Sequence, residues 1–187
     1  MRVGIDMDGV LRDLISHIKS KIVEEYPEFT DKMLPVKSWD WSDWLPFWTD
    51  EEAEDFIFET HQDYLFGPEC PPIETSITDW PILKEWAKEN GHELILVSAQ
   101  REQCIKPATT WLEKYRFDFD EIHFTNKKHL VDVDVLIDDS PEKLGRFQKQ
   151  SVNNGTAICF RQSWNKKSQK SKITIDRLSD IVSIVFG

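Results

Sequence analysis

The sequence lacks the features of several protein classes. No apolar run among its 187 residues approaches about 18, the length that a membrane-spanning helix needs, so we expect no membrane partner. Basic charge is scarce, because 23 Lys and Arg stand against 34 Asp and Glu and leave a formal net charge of −11. A protein that grips duplex nucleic acid needs a basic face, so we do not expect duplex nucleic acid as a partner either.

Cysteine is also scarce. Cys70, Cys104 and Cys159 are odd in number, and their spacing indicates neither a disulfide framework nor a metal site. No signal-peptide pattern precedes the first strand-like segment. We therefore expect reduced thiols in a cytoplasmic protein.

What the sequence does contain is a pair of carboxylates directly after its first apolar segment. Residues 1–10 read Met-Arg-Val-Gly-Ile-Asp-Met-Asp-Gly-Val, which places Asp6 and Asp8 at the end of a short strand. Acids two positions apart point the same way if the strand persists. Like charges that close together are costly unless a cation or a proton neutralises one of them. The pair therefore predicts a divalent metal and a chemical role.

Strand-like and helix-like segments alternate along most of the chain, with links short enough for one core. This alternation predicts an α/β fold with a Rossmann-like, mostly parallel sheet. The strand-like segments are mostly continuous apolar runs, as expected for strands covered on both faces. They are Val3–Asp6, Glu93–Val97, Glu121–Thr125, Val133–Ile137 and Thr156–Phe160.

Cap and turn residues mark the helices between these strands. Asn90-Gly91 predicts the end of one helix, Pro107 the start of a second, and Ser140-Pro141 the start of a third. An amphipathic helix is also predicted near the C-terminus, through Leu178, Ile181, Val182 and Val185.

The stretch between residues 13 and 74 interrupts the alternation, since it contains no convincing strand. A helical stripe through Ile15, Ile18 and Ile22 opens it, and a tract dense in aromatic residues follows. We predict that residues 14–74 form a small helical cap, inserted after the first strand into a core domain of residues 1–13 and 75–187.

The aromatic tract of this predicted cap has two interpretations. Aromatic residues at helical spacing more often form a core than a stacking surface. A nucleobase would need one or two flat rings at the catalytic edge, so a substrate contact is kept as a hypothesis. The residues concerned are Trp39, Trp41, Trp44, Phe47 and Trp48.

Polar side chains follow the predicted strands at the sheet edge where ligands bind in open parallel sheets. Asp6 and Asp8 follow the first strand, Ser98 the second, Lys128 the third and Asp138 the fourth. We expect these groups to converge on one site.

Taken singly, these residues have ordinary structural explanations. Ser98 would bond to backbone, Lys128 would lie in solvent beside Lys127, and Asp138-Asp139 would cap the next helix. Their order along the chain argues against coincidence.

That order resembles the haloacid dehalogenase (HAD) superfamily of phosphatases. Asp6-Met-Asp8-Gly-Val-Leu and Leu-Ile-Asp138-Asp139-Ser-Pro are similar to motifs of the 5'(3')-deoxyribonucleotidase family. Lys128, ten residues before Asp138, fits that family's spacing better than Lys127 does. The resemblance covers nearly the whole chain, and it implies the HAD fold with a helical cap after the first motif.

The resemblance also implies a mechanism. Asp6 would be the nucleophile and form an aspartyl-phosphate, and Asp8 would be the general acid and then the general base. Mg²⁺ would be held by Asp6, by the backbone carbonyl of Asp8 and by Asp138. Ser98 and Lys128 would hold the remaining phosphate oxygens. The implied substrate is a nucleoside monophosphate, with a deoxyribonucleotide as the expected kind.

The chain departs from the family pattern near two motifs. Ala99 and Gln100-Arg101 follow Ser98 where a second hydroxyl and a proline are expected, so one phosphate contact is missing or replaced, with Arg101 as a candidate. Arg12 stands where a small residue is common. These departures concern the substrate rather than the chemistry.

Other functions stay open. The chain could hydrolyse another small phosphate or a nucleic-acid 3'-phosphate end, or be a non-catalytic phospho-receiver or metal-binding regulator. The basic segment of residues 161–172 is expected to be solvated, with a possible role in steering anions. The sequence leaves the oligomeric state open between monomer and homodimer.

Overall fold

A computed structural model describes residues 1–166 and 173–184 of the protein. The described residues contain a six-stranded parallel sheet with the order β3-β2-β1-β4-β5-β6. The strands are β1 (Arg2–Ile5), β2 (Glu93–Ser98), β3 (Glu121–Phe124), β4 (Val135–Asp138), β5 (Thr156–Phe160) and β6 (Ile173–Ile175).

Helices cover the sheet and fill the stretch after β1. The helices within the described residues are α1 (Leu14–Glu25), α2 (Asp50–Glu54), α3 (Gln62–Phe66), α4 (Glu74–Glu89), α5 (Glu102–Tyr115), α6 (Pro141–Gln150) and α7 (Ile181–Ile184). None of these helices is long and apolar enough to cross a membrane, as far as the described residues extend.

The position of β1 decides where the polar side chains meet. β1 pairs with β2 on one side and with β4 on the other, in registers that set Ile5 against Leu96 and Ile137. The carboxyl ends of these strands therefore lie side by side. The inner residues of all three strands are almost fully buried, which explains their continuous apolar sequence.

The predicted α/β architecture is confirmed, and all five predicted strands exist with ends shifted by two residues at most. β6 was missed, because a strand of three residues with Thr174 at its centre is too short for a periodic signal. It lies at the edge of the sheet and pairs only with β5 among the described residues.

Two helix predictions need correction. α5 begins at Glu102, so Pro107 lies inside the helix and does not start it. A proline removes only one helical hydrogen bond, and the buried Trp111 and Leu112 hold the helix against the sheet. Near the C-terminus, a 3₁₀ turn of Leu178–Asp180 precedes α7, and Val185 lies outside the described residues.

The stretch between β1 and α4 contains α1, α2 and α3 and no strand, as expected, with irregular chain between α1 and α2. α1 buries Leu14, Ile15, Ile18 and Ile22 on one face, and Asp13 caps it by accepting a hydrogen bond from the Ser16 amide. After α2, the chain continues in a π-helical segment of residues 55–60. Buried residues of this stretch and of the sheet belong to one continuous apolar cluster. The division into core and cap stays a prediction.

Candidate active site

A cavity of about 440 Å³ lies at the carboxyl ends of β1, β2 and β4. Asp6, Asp8, Ser98 and Lys128 line it, so four of the predicted site residues come together here. The fifth, Asp138, is fully buried just behind the cavity, where it contacts Lys128.

The loop after β1 takes its shape from a glycine. The backbone amides of Leu11 and Arg12 both donate to the carbonyl of Met7, which turns the chain sharply. Gly9 adopts a φ of +76°, and a Cβ at this position would lie 2.6 Å from Oδ2 of Asp139. The glycine of the Asp-x-Asp-Gly motif therefore allows both the turn and the close approach of Asp139.

Lys128 forms ion pairs with two carboxylates. Its ammonium lies 2.7 Å from Oδ2 of Asp6 and 2.6 Å from Oδ2 of Asp138. Burial alone would lower the pKa of Lys128, but the charges of Asp138 and Asp6 outweigh it and hold the pKa above its ordinary range. Oδ1 of Asp138 accepts a hydrogen bond from the Ser140 amide at 2.7 Å, so both oxygens of Asp138 have partners. Asp138 therefore orients Lys128.

Asp139 adds a third carboxylate. Asp6, Asp138 and Asp139 each offer an oxygen within 4.8 Å of the others, and Asp139 lines the cavity. Burial raises the pKa of Asp6 to about 7 against the opposing effect of Lys128, and burial with the charges of Asp138 and Asp6 raises the pKa of Asp139. Buried carboxylates this close are stable when a cation compensates them, and oxygen ligands suit Mg²⁺. The cluster fits such an ion.

Both oxygens of the Asp8 carboxylate are bound by other side chains. Oδ1 accepts a hydrogen bond from Nε of Arg12 at 2.7 Å, and Oδ2 accepts one from Nε2 of Gln100 at 2.6 Å. Arg12 is fully buried and also donates to the carbonyl of Phe66 at 2.5 Å. Gln100 donates to Oγ of Ser98 at 3.1 Å as well. The two departures noted in the sequence thus hold the predicted acid–base residue in place.

The aromatic tract divides between the cavity and the core. Trp39 and Trp41 line the cavity, together with Phe58 and Phe66, which were not predicted from the sequence. Nothing in the local pattern marks these two phenylalanines, because only the packing of their segments turns them toward the cavity.

The other predicted aromatic contacts lie elsewhere. Trp44 is fully buried against Trp41, and Phe47 stacks on Phe29 with ring centroids 4.1 Å apart. Packing, rather than substrate contact, accounts for both.

Arg101 lies at the rim of the cavity. Its guanidinium stands 3.8 Å above the ring of Phe58 and pairs with Glu54 at 2.6 Å. It therefore bridges the helical stretch and the β2–α5 loop, and its role toward a substrate stays a prediction.

The basic segment after β5 contributes two residues to the site that were not predicted from the sequence. Trp164 donates its indole N–H to Oδ2 of Asp139 at 2.7 Å, and Asn165 is almost fully buried. The expectation of a solvated segment is therefore wrong for these two residues, because both form hydrogen bonds with Asp139. Residues 167–172 lie outside the described part of the chain.

The chain is similar in sequence to two proteins named as deoxyribonucleotidases. A 5'(3')-deoxyribonucleotidase of Clostridium acetobutylicum is 28% identical over 173 residues, which cover 90% of this chain and 86% of the relative. A protein of Acanthamoeba polyphaga mimivirus, provisionally named as a 5'(3')-deoxyribonucleotidase, is 29% identical over 175 residues, which cover 87% of this chain and 71% of the relative.

A solved structure shares the fold. L-2-haloacid dehalogenase from Xanthobacter autotrophicus superposes with a TM-score of 0.64 at 10% identity, covering 100% of this chain and 98% of that chain. The predicted HAD fold is thereby confirmed. The family model described as "5' nucleotidase, deoxy (Pyrimidine), cytosolic type C protein" matches residues 1–184. The chain therefore belongs to this deoxy-5'-nucleotidase family and is a phosphoric monoester hydrolase with the HAD fold.

Proposed function

We propose that this protein is a Mg²⁺-dependent 5'(3')-deoxyribonucleotidase that hydrolyses nucleoside monophosphates through an aspartyl-phosphate. The observation that carries the proposal is the convergence of Asp6, Asp8, Ser98 and Lys128 on one cavity beside a cluster of buried carboxylates. The names of the relatives from Clostridium and mimivirus support the substrate class.

Asp6 and Asp139 are the side chains that we propose for the metal. The family resemblance implied Asp138 as the second metal-binding carboxylate. Asp139 is the better candidate, because it lines the cavity as Asp6 does, whereas Asp138 lies behind the cavity and contacts Lys128. The backbone carbonyl of Asp8 remains a proposed third ligand. A bound Mg²⁺ would neutralise charge on the transferred phosphoryl group.

The residues then have distinct roles in the reaction. Asp6 attacks phosphorus, and the bond from phosphorus to the ester oxygen breaks. Asp8 would have to take up a proton when the phosphate binds; it gives this proton to the departing alkoxide and then takes one from the water that hydrolyses the aspartyl-phosphate. Lys128 and Ser98 bind phosphate oxygens, so that most of the catalysis comes from positioning and charge stabilisation.

The stretch of residues 14–74 would act as a cap that selects the substrate. Trp41, Phe58 and Phe66 offer apolar ring surface to the cavity, and stacking on such rings suits a nucleobase. Arg101 supplies a cation at the rim. The buried, unpaired thiols of all three cysteines and the family's description as a cytosolic type support a place in the cytoplasm.

A phosphate-release panel tests the proposal. The panel contains the 5'- and 3'-monophosphates of ribo- and deoxyribonucleosides, with sugar phosphates for comparison, and each is assayed with Mg²⁺ and with EDTA. We expect the deoxyribonucleotides to give the highest kcat/KM and EDTA to abolish turnover.

Substitution of the nucleophile completes the test. We expect Asp6→Asn to remove nearly all activity, while Asp31→Asn, a change at an exposed acid in the same chain, leaves it intact. Equal activity of Asp6→Asn and the parent would show that Asp6 is not the nucleophile. A preference for sugar phosphates would contradict the proposed nucleotide substrate but not the hydrolase activity.

A further inference from the structure

Two indole N–H groups converge on one oxygen of Asp139. Nε1 of Trp164 lies 2.7 Å from Oδ2, and Nε1 of Trp39 lies 3.1 Å from the same atom. The two rings meet edge to face with centroids 5.9 Å apart. Trp39 comes from the helical stretch after β1, and Trp164 from the turn after β5, so distant segments of the chain hold one carboxylate.

The turn that carries Trp164 is itself fixed. Asn165 donates from Nδ2 to the backbone carbonyls of Asp139 and Phe160, both at 2.8 Å. Gln162 donates to the carbonyl of Gly9 at 2.8 Å, which ties the turn to the loop after β1. The position of the Trp164 indole is therefore determined by buried hydrogen bonds rather than by a surface contact.

This arrangement leaves one oxygen of Asp139 available. Oδ2 is bound by the two indoles, whereas no described residue donates a hydrogen bond to Oδ1. Asp139 is 1% exposed and lines the cavity, so Oδ1 is the oxygen that can meet a ligand there. The indoles thus restrict both the rotation and the direction of the carboxylate.

The chemistry of the donors matters as much as their position. An indole N–H is a neutral donor, so it satisfies a carboxylate oxygen without cancelling the negative charge. Lys128, in contrast, brings a full positive charge beside Asp138. The indoles therefore hold the geometry of Asp139 without bringing a positive charge that would oppose a cation beside it. Hydrogen-bonded partners of this kind orient metal ligands and tune metal affinity.

We propose that Trp39 and Trp164 are positioning residues that orient Asp139 toward a divalent cation, so that affinity for Mg²⁺ depends on both indole N–H groups. The proposal rests on the proposed function, because it takes Mg²⁺ as the ion at Asp6 and Asp139. It also makes the metal site depend on the placement of the stretch that carries Trp39.

Direct binding of Mg²⁺ without substrate tests this proposal. Trp39→Phe, Trp164→Phe and the double variant keep an aromatic ring and remove only the N–H donor. Isothermal titration with MgCl₂ is expected to show binding weakened by about 10-fold or more in each single variant, the lower end of the range for lost partners of metal ligands. Trp48→Phe is the matched control, since Trp48 packs among Tyr26, Phe29 and Phe56 and is expected to bind Mg²⁺ like the parent.

The outcomes separate this proposal from the proposed function. Thermal unfolding in EDTA identifies the variants that are folded, and Trp39→Phe alone suffices if Trp164→Phe does not fold. A folded double variant, or a folded Trp39→Phe, that binds Mg²⁺ as tightly as the parent overturns the positioning role and leaves the metal site intact. Retained binding in Asp139→Asn, or no binding by the parent, overturns both the positioning role and the proposed metal ligands.

Discussion

The buried ion pair between Arg12 and Asp8 makes a sharp prediction about stability. Arg12 has no exposed surface, and the Asp8 side chain is 15% exposed. Removing one partner of a buried pair leaves an uncompensated charge and costs roughly 3–5 kcal/mol. We expect Asp8→Asn to lower the free energy of unfolding by about 3 kcal/mol, the lower end of that range, because the asparagine oxygen can still accept from Nε.

The reverse change should cost less. In Arg12→Met, Asp8 keeps its hydrogen bond from Gln100 and still faces the cavity. We therefore expect the free energy of unfolding to fall by about 1–3 kcal/mol, the usual cost of a buried acceptor that has lost a hydrogen bond. The double variant Asp8→Asn, Arg12→Met removes both charges together. We therefore expect its loss to be smaller than the sum of the single losses by about 1–3 kcal/mol.

Urea unfolding of the four proteins measures this coupling. The exposed pair Arg146–Glu142 on α6, 3.4 Å apart, is the control, and its cycle should give about 0.5 kcal/mol or less. If the losses of unfolding free energy in the two single variants sum to the loss in the double variant within about 0.5 kcal/mol, the proposed coupling of Asp8 and Arg12 is refuted. The result also affects how activity is interpreted, since an inactive Asp8→Asn protein would have to be shown to be folded before Asp8 is assigned a chemical role.

Further predictions concern pH, backbone and substrate. Burial alone would raise the pKa of Asp79, but hydrogen bonds from Arg177 outweigh it and hold the pKa below its ordinary range, so this stabilisation is present above about pH 4 and is lost as the pH falls through the folded-state value. Urea unfolding between pH 5 and pH 3 should therefore show a steeper loss in the parent than in Asp79→Asn. Gly9→Ala should reduce both kcat and stability, whereas Gly91→Ala, with a φ of +64° but open space at its Cβ, should cost only about 1–2 kcal/mol in unfolding and leave kcat unchanged. Trp41→Ala should raise KM for a deoxyribonucleoside monophosphate and leave KM for a small phosphate without a base unchanged. Equal changes in KM for both substrates would show that Trp41 does not bind the base.

Much of the architecture was predictable because it is encoded locally. Strands buried on both faces need continuous apolar runs, and parallel pairing brings their carboxyl ends to one edge. Those two facts were enough to bring Asp6, Ser98 and Lys128 together from motifs far apart in the chain. β6 escaped because a strand of three residues carries no periodic signal.

Which carboxylate meets the cavity could not be read from the sequence. Asp138 and Asp139 are adjacent and chemically identical, and only the positions of Lys128 and of the two indoles distinguish them. The same holds for Arg12, whose contact with Asp8 follows from the turn after β1.

The sequence by itself thus determined the order of the strands' functional groups and the class of chemistry, because both depend on residue type and spacing along the chain. The tertiary structure alone decided which side chains face the cavity and which hold them there. Those contacts join residues such as Trp39 and Asp139 that are 100 positions apart, and no local pattern records them.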